Sequence, residues 1–264
     1  MKGYDIVIQA GQSNAEGCGK GTVATPYAVN NRVWHLEHKW QVVPSEKAGE
    51  RPAVIYADEP FTLAPASERV SEKWGVVADF SLTFSKEYIE NGVLKEGRRL
   101  LIVRGAVGGT GFCVGNWRVG DQLHKKLRAL VDYALALEGE NRVVALLWHQ
   151  GECDAFEGTT ALEYEQNFTA FLRDIRQAYG EDLPVVAGDF VQEWKSKNLS
   201  ICTPITETTE RICVEDAFGA YVHTDGLASN DMAVHDGEDI HFCREAQYEL
   251  GKRYFQAFAR IYKE

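Results

Sequence analysis

The chain has 264 residues, 45% of them hydrophobic and 25% charged, which is ordinary for a globular protein able to bury a sizeable core. Those proportions exclude a disordered, collagen-like or coiled-coil protein. With 28 Lys and Arg against 39 Asp and Glu the net charge is −11, which argues against nucleic acid or anionic lipid as the main partner.

The first residues run straight into an apolar stretch with no basic segment before it, so no secretory signal is read. No apolar run is long enough to span a bilayer, and a cytoplasmic location is the expectation. Tyr4–Gln9 is the first of five short β-rich runs. Cys18–Trp74, rich in glycine, proline and charge, follows as an irregular insertion with a candidate hairpin, Arg32–Leu36 and Trp40–Val43. Val76–Asn91 is a predicted helix, and Arg99–Arg104 the second strand. Leu123, Leu127, Leu130, Val131, Ala134 and Leu137 then make one apolar helix face. The third strand is Val143–His149, followed by a helix through Tyr164, Phe168, Phe171, Leu172, Ile175 and Tyr179. Pro184–Asp189 is the fourth strand, Thr203–Asp216 a helix with Thr203 as cap and Pro204 first inside, and Gly219–His223 the fifth strand. A last helix presents Leu250, Tyr254, Phe258 and Ile261 on one face. Strands alternating with helices predict an α/β domain, residues 1–264, with a five-stranded parallel sheet covered on both faces. Its site is expected at the carboxyl ends of the strands.

The unusual residues fall at those ends. Strand one runs into Gly11-Gln12-Ser13-Asn14, where Ser13 suits either a nucleophile or a helix cap. Strand two runs into Gly108-Gly109-Thr110-Gly111, which is either an anion cradle or a set of turn-formers. It is not the dinucleotide fingerprint, and Gly19-Lys20-Gly21 is a failed phosphate loop, since glycine stands where Ser or Thr would bind magnesium. Strand three runs into His149-Gln150-Gly151-Glu152, polar residues past a buried strand, which form a site or a structural network. The loop Asp236–Phe242 carries His241, whose options are a base, a metal ligand or a surface residue. His35, His38, His124, His223 and His235 read as surface residues. Cys18, Cys113, Cys153, Cys202, Cys213 and Cys243 contain no CxxC pair and read as reduced packing thiols. Trp34, Trp40, Trp74, Trp117 and Trp194 suit sugar stacking or core packing equally, with Trp117 the best placed for a substrate.

Gln-Ser-Asn, Ala-x-Gly-Gly-Thr, Trp-His-Gln-Gly-Glu and Asp-Ile-His-Phe occur in order from Ile6 to the final helix. Together they resemble the SGNH-hydrolase superfamily, in its sialate O-acetylesterase-like and acetylxylan esterase branch, carbohydrate esterase family six. The resemblance implies a three-layer α/β/α, flavodoxin-like fold and a serine esterase acting on acetylated carbohydrate through an acyl-enzyme, without cofactor or metal. It implies Ser13 as nucleophile and His241 as base. It further implies backbone N–H groups of Ser13 and of Gly108 or Gly109, with the Gln150 side chain, as oxyanion donors. Where the superfamily places aspartate three residues before the histidine, this chain has Glu238; Asp239 and Glu152 are the other candidate acids, with Glu152 preferred because its motif is the most distinctive. Gln12, Asn14, Trp117 and His149 are the candidate substrate contacts. A sugar-binding protein without catalysis and an acyltransferase are the alternatives, and the acidic balance slightly favours an uncharged glycan over sialic acid.

Overall fold

The structure, a computed structural model, describes residues 2–43, 53–56, 61–71 and 75–263. In chain order the first part holds β1 (Gly3–Gly11), α1 (Ser13–Glu16), β2 (Val33–Glu37), β3 (Trp40–Val43), β4 (Ala53–Tyr56), β5 (Thr62–Pro65), β6 (Arg69–Ser71) and β7 (Gly75–Val77). Next come α2 (Phe80–Glu90), β8 (Arg98–Arg104), α3 (Gln122–Leu135), β9 (Arg142–His149), α4 (Glu152–Phe156) and α5 (Ala161–Tyr179). The chain ends with β10 (Val185–Gly188), α6 (Gln192–Lys197), α7 (Leu199–Glu215), β11 (Gly219–Val222), α8 (Asn230–Val234) and α9 (Arg244–Ile261).

The five predicted strands are β1, β8, β9, β10 and β11, and they pair in parallel as β11-β10-β9-β1-β8. That is the flavodoxin-like order, with the switch point at β1. The sheet is wider than the five strands expected. β2 adds in parallel to β8, and β5 pairs antiparallel with β2, giving seven strands. Both come from the segment read as an irregular insertion, and they cover an edge that β8 would otherwise leave open. The expected hairpin does not form: β2 joins the sheet, and β3 pairs with β4 instead.

Two helix starts also differ from expectation. Gly75–Val77 pairs with β6, so α2 begins only at Phe80, where the Asp79 carboxylate accepts from the Ser81 N–H at 2.9 Å. Helix α7 begins at Leu199, a turn before Thr203, with the Asn198 carbonyl accepting from Ile201 and Cys202. Pro204 therefore lies inside the helix, where it cannot give the Ser200 carbonyl the usual N–H from four residues on.

Every residue of β1 is buried, as expected for a central strand with helices on both faces. Consecutive residues of β9 show the two faces. Trp148 packs on Phe168 and Phe171 of α5, whereas His149 lies against Tyr254 of α9 and Phe80 of α2. On the second face α2 and α9 approach so closely that a Cβ on Gly251 would sit 2.1 Å from the Phe80 carbonyl oxygen. His35, His38 and His124 are buried, not solvated; burial and the Arg104 guanidinium push His35 down to about 4.

At the amino end of the sheet, Asp5 is fully buried in β1. It accepts from Arg98 Nε at 2.7 Å, Arg142 Nε at 2.7 Å and the Tyr88 hydroxyl at 3.0 Å. Replacing it leaves two guanidinium groups without their shared anion. Asp5→Ala is expected to cost about 2–4 kcal/mol in urea unfolding. Specific activity of the folded fraction should not change, because Asp5 lies at the sheet end opposite the loop that follows β1.

Candidate active site

Strand β1 ends at Gly11, whose φ of 130° and position 2.0 Å (for a built Cβ) from the His149 carbonyl oxygen admit only glycine. The backbone then turns: Gln12 N–H donates to the same carbonyl at 2.9 Å, and Ser13 opens the one-turn helix α1. The Ser13 hydroxyl meets His241 Nε2 at 2.7 Å, and His241 Nδ1 meets Glu238 Oε1 at 2.7 Å. These three groups form one hydrogen-bonded chain. Glu238 also accepts from Asn230 Nδ2 at 2.9 Å and pairs with Lys20 Nζ at 2.5 Å. Burial works to raise the Glu238 carboxyl, but hydrogen bonds from His241 and Lys20 outweigh it and hold it down at about 2.

Of the three candidate acids, only Glu238 reaches His241. The preference for Glu152 is corrected: its Oε1 accepts from Asn14 Nδ2 at 2.7 Å, beneath the site. Glu238, one helical turn's spacing before His241, already occupies the Nδ1 position. Asp239 pairs with Lys197 at 2.8 Å on the surface.

Of the groups expected as oxyanion donors, Gln150 and Gly108 are engaged elsewhere. Gln150 is buried with its Nε2 turned inward, donating to Asp154 Oδ2 at 2.6 Å and the Thr110 carbonyl at 3.2 Å. Gly108 N–H donates to Glu16 Oε2 at 2.9 Å, and Glu16 Oε1 accepts from Arg69 Nη1 at 3.3 Å. Burial pushes the Glu16 carboxyl up, against the pull of Arg69 and the Gly108 N–H. By contrast, the N–H groups of Ser13 and Gly109 have no acceptor among the described residues. Gln12 Oε1 accepts from Cys153 N–H at 3.1 Å and from Gln150 Nε2 at 3.4 Å. Its Nε2 has no acceptor among the described residues, and Gln12 lines the cavity over Ser13.

That cavity, about 670 Å³, is bounded by Gln12, Ser13, Glu16, Trp40, Gly108, Gly109, Phe156, Glu157 and His241 among others. Three of the four expected substrate contacts are not on it. Trp117 is core, donating to Thr110 Oγ1 at 2.9 Å and packing on Trp148. His149 is wholly buried beside the Tyr254 hydroxyl, and burial pushes it down to about 3. Asn14 is fully buried under the loop of His241. Only Gln12 faces the cavity. Among the tryptophans Trp40 lines it, Trp194 is buried against Phe190, Trp34 lies under Arg99, and Trp74 is outside the described residues.

Residues 3–260 match the family described as carbohydrate esterase, sialic acid-specific acetylesterase. The chain belongs to that family. It is a carboxylic ester hydrolase of the acetylesterase kind. A probable carbohydrate esterase of Arabidopsis thaliana is 24% identical over 263 residues, covering 96% of this chain and 89% of the plant protein. Among solved structures, NanS superposes with a TM-score of 0.72 at 18% identity, over 98% of this chain and 97% of its own. A carbohydrate acetylesterase of Xanthomonas citri gives 0.62 at 19% identity, over 98% of this chain and 56% of its own. These similarities agree with the SGNH-like fold.

Several site residues of this acetylesterase escape sequence reasoning. Lys20, set aside with the failed phosphate loop, anchors Glu238 from the opposite end of the chain. Glu16 carried a weak signal, an acid three residues past the serine on the same turn. Phe156, 60% exposed yet lining the cavity, carried none, because a lone aromatic on a short helix reads as packing.

Proposed function

We propose that the esterase removes O-acetyl groups from a carbohydrate through an acetyl-enzyme on Ser13. The observation that carries this reading is the unbroken chain from the Ser13 hydroxyl through His241 to Glu238, with both contacts at 2.7 Å. The Ser13 oxygen attacks the acetyl carbonyl carbon while Nε2 takes the hydroxyl proton. Nδ1–H donates to the Glu238 carboxylate, which stabilises the imidazolium. The carbonyl oxygen becomes negative, and the free N–H groups of Ser13 and Gly109, with Gln12 Nε2, are the donors placed around Ser13 to receive it. Gln12 takes the side-chain role that the superfamily pattern suggested for Gln150. Collapse breaks the bond to the sugar oxygen, which takes the proton back from Nε2. Water repeats the cycle on the acetyl-serine and releases acetate.

The cavity wall informs the substrate class. Trp40 and Phe156 offer apolar faces for a sugar ring, and among the described wall residues Glu16 and Glu157 carry carboxyl groups. These carboxyl oxygens are acceptors for sugar hydroxyls, and no Lys or Arg among the described wall residues is there to pair with a substrate carboxylate, so an uncharged acetylated sugar is the proposed substrate. The test is a panel of acetylated xylo-oligosaccharides and O-acetyl sialic acids, with deacetylation followed by mass and Ser13→Ala as control. Faster loss of acetyl from the neutral sugars is expected. Turnover confined to the sialic acids would overturn the substrate class, and sugar binding with no release of acetate would leave a lectin-like protein.

A further inference from the structure

The most distinctive stretch of the sequence, Trp148-His149-Gln150-Gly151-Glu152, supplies no member of the chain joining Ser13, His241 and Glu238. Yet Glu152 is only 1% exposed, and a buried acid is costly unless a partner uses it. The partner is Asn14, fully buried and directly after the nucleophile, whose Nδ2 donates to Glu152 Oε1 at 2.7 Å. The second Nδ2 hydrogen goes to the Ile240 carbonyl at 3.0 Å, and Asn14 Oδ1 accepts from the Phe242 N–H at 3.1 Å. One amide therefore holds both peptide groups that flank His241. Gln247 Nε2 donates to the Asn14 carbonyl at 3.1 Å and ties the same residue to α9.

We propose that Glu152 is a positioning residue that orients the Asn14 amide, which grips the backbone on both sides of His241 and so keeps Nε2 on the Ser13 hydroxyl. The proposal rests on the reading of Ser13 and His241 as the reacting pair. Asn14 is bonded covalently to Ser13 and through hydrogen bonds to the peptides around His241, so nucleophile and base move as one piece. The clamp needs an acceptor oxygen at Oε1 and does not need a negative charge. Burial, the largest influence on Glu152, pushes its carboxyl up despite the Asn14 hydrogen bond, in keeping with that. A displacement of about 1 Å at a reacting group is enough to cost about 10²-fold in rate.

The experiment measures kcat and KM on a chromogenic acetate ester for variants shown to be folded by circular dichroism. Glu152→Gln, which keeps the acceptor, is expected within about threefold of wild type. Glu152→Met, which fills the space without an acceptor, and Asn14→Ala are each expected to lower kcat about 10²-fold with KM nearly unchanged. The double variant should be little worse than either single one, because both act through one contact. The downfield proton resonance of the His241–Glu238 hydrogen bond should persist in Glu152→Gln and broaden in Glu152→Met. Asn14→Asp, which keeps the shape but loses both donors, replaces either variant that does not fold. Equal damage from Glu152→Gln and Glu152→Met would overturn the clamp in favour of a charge effect. Unchanged kcat in folded Glu152→Met and Asn14→Ala would overturn it outright. Full activity of Ser13→Ala is a separate outcome, which overturns the reading of the site instead.

Discussion

Ser13→Ala is expected to lower kcat/KM on an acetate ester by about 10⁴-fold or more while leaving the melting temperature close to wild type. The reasoning is local. Among the described residues the hydroxyl has one side-chain partner, His241 Nε2, and deleting it removes a single oxygen from the wall of an open cavity. The donors proposed for the developing oxyanion stay in place, so a residual acceleration over water should remain. The measurement is an initial-rate comparison at equal concentration of folded protein. A variant that keeps a tenth of wild-type activity would exclude the acetyl-enzyme route through Ser13.

The second large effect falls on the acid. Glu238→Gln is expected to reduce kcat by about 10²–10⁴-fold, because an amide offers the imidazolium no charge and can favour the wrong tautomer. Asp239→Ala, one residue away and paired to Lys197 on the surface, should stay within about twofold. Reversed outcomes for the two would displace Glu238 from the site. The same substitution has a signature in stability. With its folded value held near 2 against an ordinary 4.5, Glu238 favours the folded state above about pH 4.5. That contribution fades as pH falls from 4.5 towards 2, where the carboxyl is protonated in folded and unfolded chains alike. The difference in melting temperature between wild type and Glu238→Gln should therefore narrow between pH 6 and pH 3. A constant difference would mean that the carboxylate is not held by His241 and Lys20.

Much of this architecture was legible in the chain. The five core strands and the helix faces of α3, α5 and α9 follow from periodicity, because burial against a sheet imposes one spacing on a strand and another on a helix. That Ser13 and His241 belong together was legible only from the four motifs in order and the family they resemble, since each residue alone also suits a blander role. The misreadings at the site share a cause: they concern which way a side chain points after the backbone turns. Asn14 and His149 belong to the motifs and Trp117 follows one closely, yet each faces the interior. Gln150 is missing from the cavity wall because its amide is spent on Asp154, something no spacing records. Strand β2 was visible, but its partner was not, since pairing across a sheet edge depends on which neighbour lacks one. Glu152 was singled out for good reason and given the wrong contact.

Ser13 and His241 touch across 228 positions of sequence, and Lys20 meets Glu238 from a similar distance. Ser13 lies in the turn just after the central strand, whereas His241 lies on a loop ahead of the final helix. In a chain emerging amino end first, the serine elbow can be in place while the histidine is still unmade. Long-range closure of this kind is the slow part of assembly. Activity regained during refolding therefore reports that the two ends of the chain have docked, which a probe of the central strands alone does not.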